Sequence, residues 1–280
     1  MAAPPNVSLS LSSRPENVLL VRETLTGVAE AIGLDSTVLN DIRTASTEAC
    51  NNVVLHAYAG EEGPLELGIF IGASMIEVVV RDRGAGIRPR ILSARDAAPG
   101  IGVSVIQALA QRVEFSCAES QGTEVRMEFA TPGTQALEPL PREDLALPAV
   151  AQAEELATTL GIAIAPTRLA SAVLPRLLCV LAARAQFSTD RISDAQLVAD
   201  ALVAQTPEAI GGSHLGIGVS VAPRRLELRV GPLRTDRASW RIVNSAVAGL
   251  SPVVEKLTNQ YGVVAVGSSE ALTLRLSDQR

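Results

Sequence analysis

The stretch EACNNVVLHAY, Glu48 to Tyr58, sets apolar residues at helical spacing beside an acid and an amide one turn apart, Glu48 and Asn52. On a helix advancing about 100° per residue, Ile42, Ala45, Ala49 and Val53 share one stripe, and Asp41, Glu48 and Asn52 a narrower one along its flank. A carboxylate and a carboxamide bordering a buried face look into a cleft rather than bulk water. Asn offers a neutral oxygen of the kind Mg²⁺ accepts when it is held by few protein groups plus phosphate oxygens. Glu at the preceding turn can orient or deprotonate an attacking hydroxyl. The competing reading is a helix flank hydrogen-bonded to a neighbouring strand, and E-x-x-x-N alone does not choose between them.

The surrounding segments supply the choice. Upstream, VSLSLS (Val7 to Ser12) alternates as a strand, and Glu16 to Ile32 has helical spacing ended by Gly33. Downstream, LELGIFIG (Leu65 to Gly72) and MIEVVV (Met75 to Val80) predict a hairpin turning at GAS. Immediately after it, D-R-G-A-G places Asp82 past the strand end, with Gly84 and Gly86 following. An acceptor-only carboxylate there can take a hydrogen bond from an exocyclic amine, and the glycines let backbone approach a ligand. PGIGVSVIQAL then puts Gly100 and Gly102 at the opening of a helix, whose free N–H groups and dipole suit phosphate. VEFSC and TEVRMEF predict two closing strands, with Thr123 at the start of the last, where a hydroxyl can help fix a base. Each element alone also reads as an ordinary turn.

As an ordered set, E-A-C-N-N, D-R-G-A-G-I, P-G-I-G-V and G-T resemble the nucleotide-binding boxes of the GHKL ATPase superfamily. EACNNVVLHAY is most similar to the anti-sigma-factor serine kinases of bacterial partner switching, and the resemblance covers about residues 6 to 130. It implies an α+β fold, a two-layer sandwich of Bergerat type with helices on one face of a mixed sheet. It implies ATP and Mg as cofactors, with Glu48 as general base, Asn52 as Mg²⁺ ligand and Asp82 as adenine anchor. Gly84, Gly86, Gly100 and Gly102 would shape the nucleotide loops, and Thr123 would assist at the base. The implied partners are an anti-anti-sigma protein with a STAS domain, phosphorylated on serine, and a sigma factor. A non-catalytic, ATP-responsive binding module is the alternative. Between Ile87 and Gly100 lies only RPRILSARDAAP, a short lid, in which Arg88, Arg90 and Arg95 either face phosphate or are solvated. His56 lies within the first box rather than on a separate phosphoacceptor helix and reads as structural or cleft-edge, as does His214.

Composition narrows the field independently. In 280 residues the net charge is -6, with a pI near 5.1, which argues against nucleic acid or anionic membrane as the main partner. Lys256 is the sole lysine, so neither a P-loop lysine nor a kinase strand lysine exists in the first half. Cys50, Cys117 and Cys179 are scattered through apolar periodic segments and read as small buried hydrophobes. MAAPPNVSLS has no basic region followed by an apolar run, and Leu169 to Phe187 is broken by Pro175, Arg176 and Arg184. A cytoplasmic protein is expected.

The Pro-rich segment Thr131 to Pro148 reads as a linker between a nucleotide-binding domain, residues 1–130, and a second domain, residues 149–280. The second domain reads as a degenerate copy of the first. A shift of 153 sets Asp194 under Asp41 and Ile162 and Ile164 under Leu9 and Leu11; a shift of 150 aligns the hairpins; VVEKL mirrors VIQAL and LTLRL mirrors VRMEF. The copy keeps the apolar pattern and drops the chemistry: Ala201 lies under Glu48, Gln205 under Asn52, and GPLRTDR opposite RDRGAGI. Ala149 to Leu160 has no counterpart and is expected to be an added helix. Because relatives of the resembled type act as homodimers, a pseudo-dimer within the chain or a homodimer is expected.

Overall fold

The computed structural model describes residues 4–84, 101–117, 122–131, 159–235, 238–244 and 252–278. The chain divides into two compact units, Pro5–Glu138 and Pro139–Arg280.

The first unit runs β1 (Val7–Ser12), α1 (Val18–Ile32), α2 (Ser36–Asn52), β2 (Pro64–Ile71), β3 (Met75–Asp82), α3 (Ile101–Leu109), β4 (Arg112–Cys117) and β5 (Thr123–Ala130). Its strands are ordered β4-β5-β3-β2-β1. Period-two alternation fixes which face each residue takes. Leu9, Leu67, Val80 and Val125 are paired in one row across the sheet, and all are buried. The neighbouring row reads Ser10, Glu66, Arg81, Glu124 and Ser116, and it faces outward. There Arg126 bonds Glu77 at 2.5 Å and Glu124 at 2.6 Å, and Arg81 also pairs with Glu124. Burial alone would raise the Glu124 carboxyl, but hydrogen bonds from the two arginines prevail and hold it below its ordinary value.

The inner row packs under α2, whose Ile42, Ala45 and Ala49 are buried, and α2 packs against α1, which buries Leu20, Leu25 and Val28. Each fully buried Leu or Ile side chain contributes about 1.5–3 kcal/mol. Helix α1 stops where expected, because Gly33 takes a left-handed conformation at φ 68° and turns its N–H back on Ala29 and Glu30. Two residues on, the Asp35 side chain caps α2 by accepting from the Thr37 amide at 2.8 Å.

One expectation is corrected. The resemblance implied a mixed sheet, yet every adjacent pair described within this unit is antiparallel. The reason is the position of β5. The α3 crossover does return β4 parallel to β3, but β5 lies between the two and is antiparallel to both.

The second unit contains β6 (Leu160–Ile164), α4 (Ala170–Arg184), α5 (Thr189–Ala209), β7 (Leu215–Ala222), β8 (Arg225–Leu233), α6 (Ala238–Asn244), α7 (Val253–Leu257), β9 (Gln260–Val266) and β10 (Ser269–Ser277). Its strands are ordered β6-β7-β8-β10-β9, again with each pair antiparallel. Helix α6 was not legible in the sequence. It packs against α5, α7 and β10, buries Ile242 and Val243, and its Ser239 hydroxyl donates to Glu270 Oε2 at 2.9 Å. The expected linker after Thr131 and most of the expected helix at 149–160 lie outside the described residues, though Leu160 itself opens β6. Among the described residues no helix is long and apolar enough to cross a membrane.

Candidate functional site

The site is assembled from the flank of α2 outward. Ile42, Ala45 and Ala49 are buried under the sheet, and Asp41, Glu48 and Asn52 are half-buried along the edge. Directly after Asn52 the helix widens into a π-helical turn, Val53–Ala57. Such turns concentrate at functional sites because they re-aim the chain without breaking it. Here Ala57 points inward while Leu55 and His56 are exposed.

Helix α3 meets this edge at Gly102. A Cβ placed on Gly102 would lie 2.8 Å from Glu48 Oε2, 3.6 Å from Asn52 Oδ1 and 3.9 Å from Asn52 Nδ2. The first turn of α3 therefore rests on the acid and the amide together, and a side chain at Gly102 would displace the Glu48 carboxylate. Free N–H groups in a helix's first turn attract anions, so a carboxylate, a neutral amide oxygen and a phosphate-seeking helix terminus converge.

The second edge is the end of β3. Asp82 is 6% exposed, and its Oδ1 accepts the Gly84 amide at 2.8 Å. Among the described residues nothing donates to Oδ2, which leaves acceptor capacity for a ligand amine. Gly84 is pressed on the π turn, and a Cβ there would come within 2.1 Å of the Ala57 carbonyl oxygen. Thr123 is buried at the start of β5, opposite Cys117.

Two residues of this site, Tyr58 and Gly122, carried no assigned role in the sequence. Tyr58 donates its hydroxyl to the Pro64 carbonyl at 2.5 Å and accepts the Arg83 amide at 2.8 Å. Its ring lies where a Cβ on Gly63 would fall, 2.1 Å away. Burial, the main cause, pushes the Tyr58 phenol above its ordinary value, with Asp82 and Glu66 adding to it, so the donor form is kept. Gly122, at φ 84°, lies against the backbone of Asp82 and Arg83, where a Cβ would be 2.0 Å from the Asp82 carbonyl oxygen. Both signals were visible, Tyr58 closing the decisive stretch and Gly122 preceding Thr123, but their partners are distant in sequence.

Glu48, Asn52 and Gly102 are thus brought together, and Asp82, Gly84 and Gly122 form a second cluster tied to α2 through Ala57. Gly86, Gly100 and the lid with Arg88, Arg90 and Arg95 lie outside the described residues. His56 is exposed on the π turn. His214 is buried, and neither ring nitrogen finds a partner among the described residues. Cys50 is fully buried, which pushes its thiol up to about 12, while Cys179 is half-buried.

Residues 11–129 match the model of the histidine kinase-like ATPase domain, and the first half of the chain carries a domain of that class. Within the class it is similar to proteins named serine-protein kinase RsbW. That of Bacillus pumilus is 33% identical over 81 residues, covering 28% of this chain and 50% of the relative. That of Oceanobacillus iheyensis is 35% identical over 79 residues, with 28% and 50% covered, and that of Halalkalibacterium halodurans 35% over 81 residues, with 29% and 49% covered. The chain spans about half the length of the curated relatives it matches.

Proposed function

We propose that the first unit is a Mg-ATP-dependent protein serine/threonine kinase of the anti-sigma regulatory type. Its substrate is a serine on an anti-anti-sigma partner with a STAS domain, and a sigma factor is a second partner. The observation that carries this reading is the seating of Gly102 on Glu48 and Asn52. It makes a cradle whose donor set suits a metal-bound polyphosphate: an amide oxygen for a hard cation, a carboxylate beside it, and a helix terminus over both.

In this reading Asn52 would hold Mg²⁺, Asp82 accepts from the adenine amine, and Glu48 orients and deprotonates the incoming serine hydroxyl. Gly84, Gly86, Gly100 and Gly102 shape the loops, and Thr123 assists at the base. Bound Mg²⁺ supplies charge neutralisation on the phosphates, so the protein's task is positioning. The serine-protein kinase names of the relatives support the same activity.

The second unit is, in this proposal, a copy of the same fold without the site. Register supports the duplication. The pairs Val78 with Met127 and Val113 with Met127 correspond to Leu228 with Leu274 and Tyr261 with Leu274, as expected from the offsets between the two halves. Pro232 stands at the Asp82 position, and α6 packs among the counterparts of α2, α3 and β5.

The test is transfer of labelled phosphate from ATP to a STAS-domain protein, comparing wild type with Glu48→Gln. Transfer that falls about 10²- to 10⁴-fold in the variant is the expected result. ATP binding with no transfer above the variant sinks the kinase reading and leaves an ATP-responsive binding module.

A further inference from the structure

Among the described residues of the first unit, four large apolar side chains are exposed: Leu19 at 45%, Leu55 at 67%, Met75 at 36% and Ile101 at 85%. The two most exposed are chain neighbours of the candidate site. Ile101 precedes Gly102, which is seated on Glu48 and Asn52, and Leu55 lies three residues after Asn52 on the π turn. Single apolar residues are ordinary on a protein surface. What separates these two is that they stand on the segments that hold the acid and the amide.

Local structure requires neither. Ile101 opens α3, where its side chain satisfies none of the free N–H groups of the first turn. The π turn is fixed from its inner side, where Ala57 is buried and its carbonyl bears on Gly84. Leu55 is on the solvent side of that turn and contributes nothing to the seat.

The chemistry proposed for Glu48 identifies the occupant, and the inference rests on that reading. A serine hydroxyl deprotonated by Glu48 comes within about 2.6–3.2 Å of it. The protein carrying that serine then covers about 600–800 Å² of this unit, the usual share of one partner, equivalent to a disc roughly 14–16 Å in radius. Leu55 is seven residues from Glu48, about 10 Å at 1.5 Å per residue. Ile101 is one Cα step, about 3.8 Å, from Gly102, whose Cβ position is 2.8 Å from Glu48 Oε2. Both fall under the incoming protein however it is turned about its serine. Side chains desolvated near the centre of an interface carry much of its binding energy. We propose that Leu55 and Ile101 are the docking contacts for the serine-bearing partner, which presents apolar side chains on both sides of its phosphoacceptor.

Leu55→Gln and Ile101→Gln keep helix-forming tendency and add no charge beside the phosphates. The experiment uses the full chain, saturating Mg-ATP and a STAS-domain protein as the varied substrate. Each single variant is expected to raise KM for the protein about tenfold and the double variant about 100-fold. The kcat at saturation and the KM for ATP stay as in wild type. Met75→Gln, at the opposite end of β3 from Asp82, is the control and changes neither KM. A double variant with the wild-type KM for the protein overturns the docking proposal while the kinase reading stands. So does a rise confined to the KM for ATP, which assigns both side chains to the nucleotide. A wild type that binds ATP and transfers nothing ends the kinase reading, and the docking proposal falls with it.

Discussion

The phenol oxygen of Tyr58 accepts the backbone N–H of Arg83 at 2.8 Å, joining the end of the π turn to the residue that follows Asp82. With the bond to the Pro64 carbonyl and the ring seated on Gly63, the hydroxyl holds β2, β3 and the helix end in one arrangement. Tyr58→Phe keeps the ring and removes both bonds. Each such bond is worth about 0.5–1.5 kcal/mol net. The expected outcome is ATP affinity weaker by about tenfold, measured by titration calorimetry, with the fold retained. Unchanged affinity would show that Asp82 is positioned without Tyr58.

Two glycines are expected to fail differently. A methyl at Gly122 meets backbone, at a left-handed φ of 84°. Gly122→Ala should therefore cost at least about 1–3 kcal/mol of stability. A methyl at Gly102 meets the end of a flexible side chain, Glu48 Oε2. Gly102→Ala should leave denaturant midpoints near wild type while lowering turnover by about 10²-fold through displacement of the carboxylate. Equal stability losses in the two variants would contradict this division.

Asp82→Asn offers a cleaner view of the proposed adenine contact. The amide oxygen can still accept from Gly84, so the turn survives, but the second oxygen becomes a donor. Mg-ATP should raise the melting temperature of wild type and leave that of the variant unmoved. A shift of the same size in both would remove Asp82 from the site.

Acid should weaken the second unit through His214. Burial lowers its folded pKa below the ordinary value of 6.5, so the unfolded chain binds the proton more readily. Stability is complete above about pH 6.5 and declines as pH falls toward the folded pKa. His214→Leu removes two ring nitrogens that have no partner among the described residues, and it should flatten the acid side of the urea midpoint between pH 7.5 and 5.5. An unaltered slope would assign the acid sensitivity to other groups.

Much of this molecule is legible in its sequence, for local reasons. Alternation marked β1, β2, β3 and β5, and Gly33 marked the end of α1 because a left-handed cap needs a residue without Cβ. The flank stripe of α2 offered Glu48 and Asn52, and the ordered glycine motifs after β3 and before α3 chose the functional reading over a hydrogen-bonded helix flank. What was missed depends on contacts between distant segments. An aromatic at a helix end reads as core, and only the approach of Gly63 and Arg83 reveals Tyr58 as a strut. Gly122 resembles any turn glycine until the backbone of Asp82 lies against it. The antiparallel sheet depends on strand order, which periodicity does not encode, and α6 lies in a stretch too mixed in polarity to give a helical stripe.

Insertion of β5 between β3 and β4 also sets the order in which the chain can be built. The strand synthesised last in the unit, ending at Ala130, is interior to its sheet. As the chain emerges from the ribosome, the β3 side of the sheet waits roughly 2–10 s and β4 roughly 1–3 s for their common neighbour at about 5–20 residues per second. The candidate site waits with them, because Gly122 and Thr123 arrive on that same strand. A nascent chain shorter than about 130 residues therefore has α2 but no complete candidate site, and any ligand capture there follows release of the final strand. The β10 strand, ending at Ser277, imposes the same delay on the second unit.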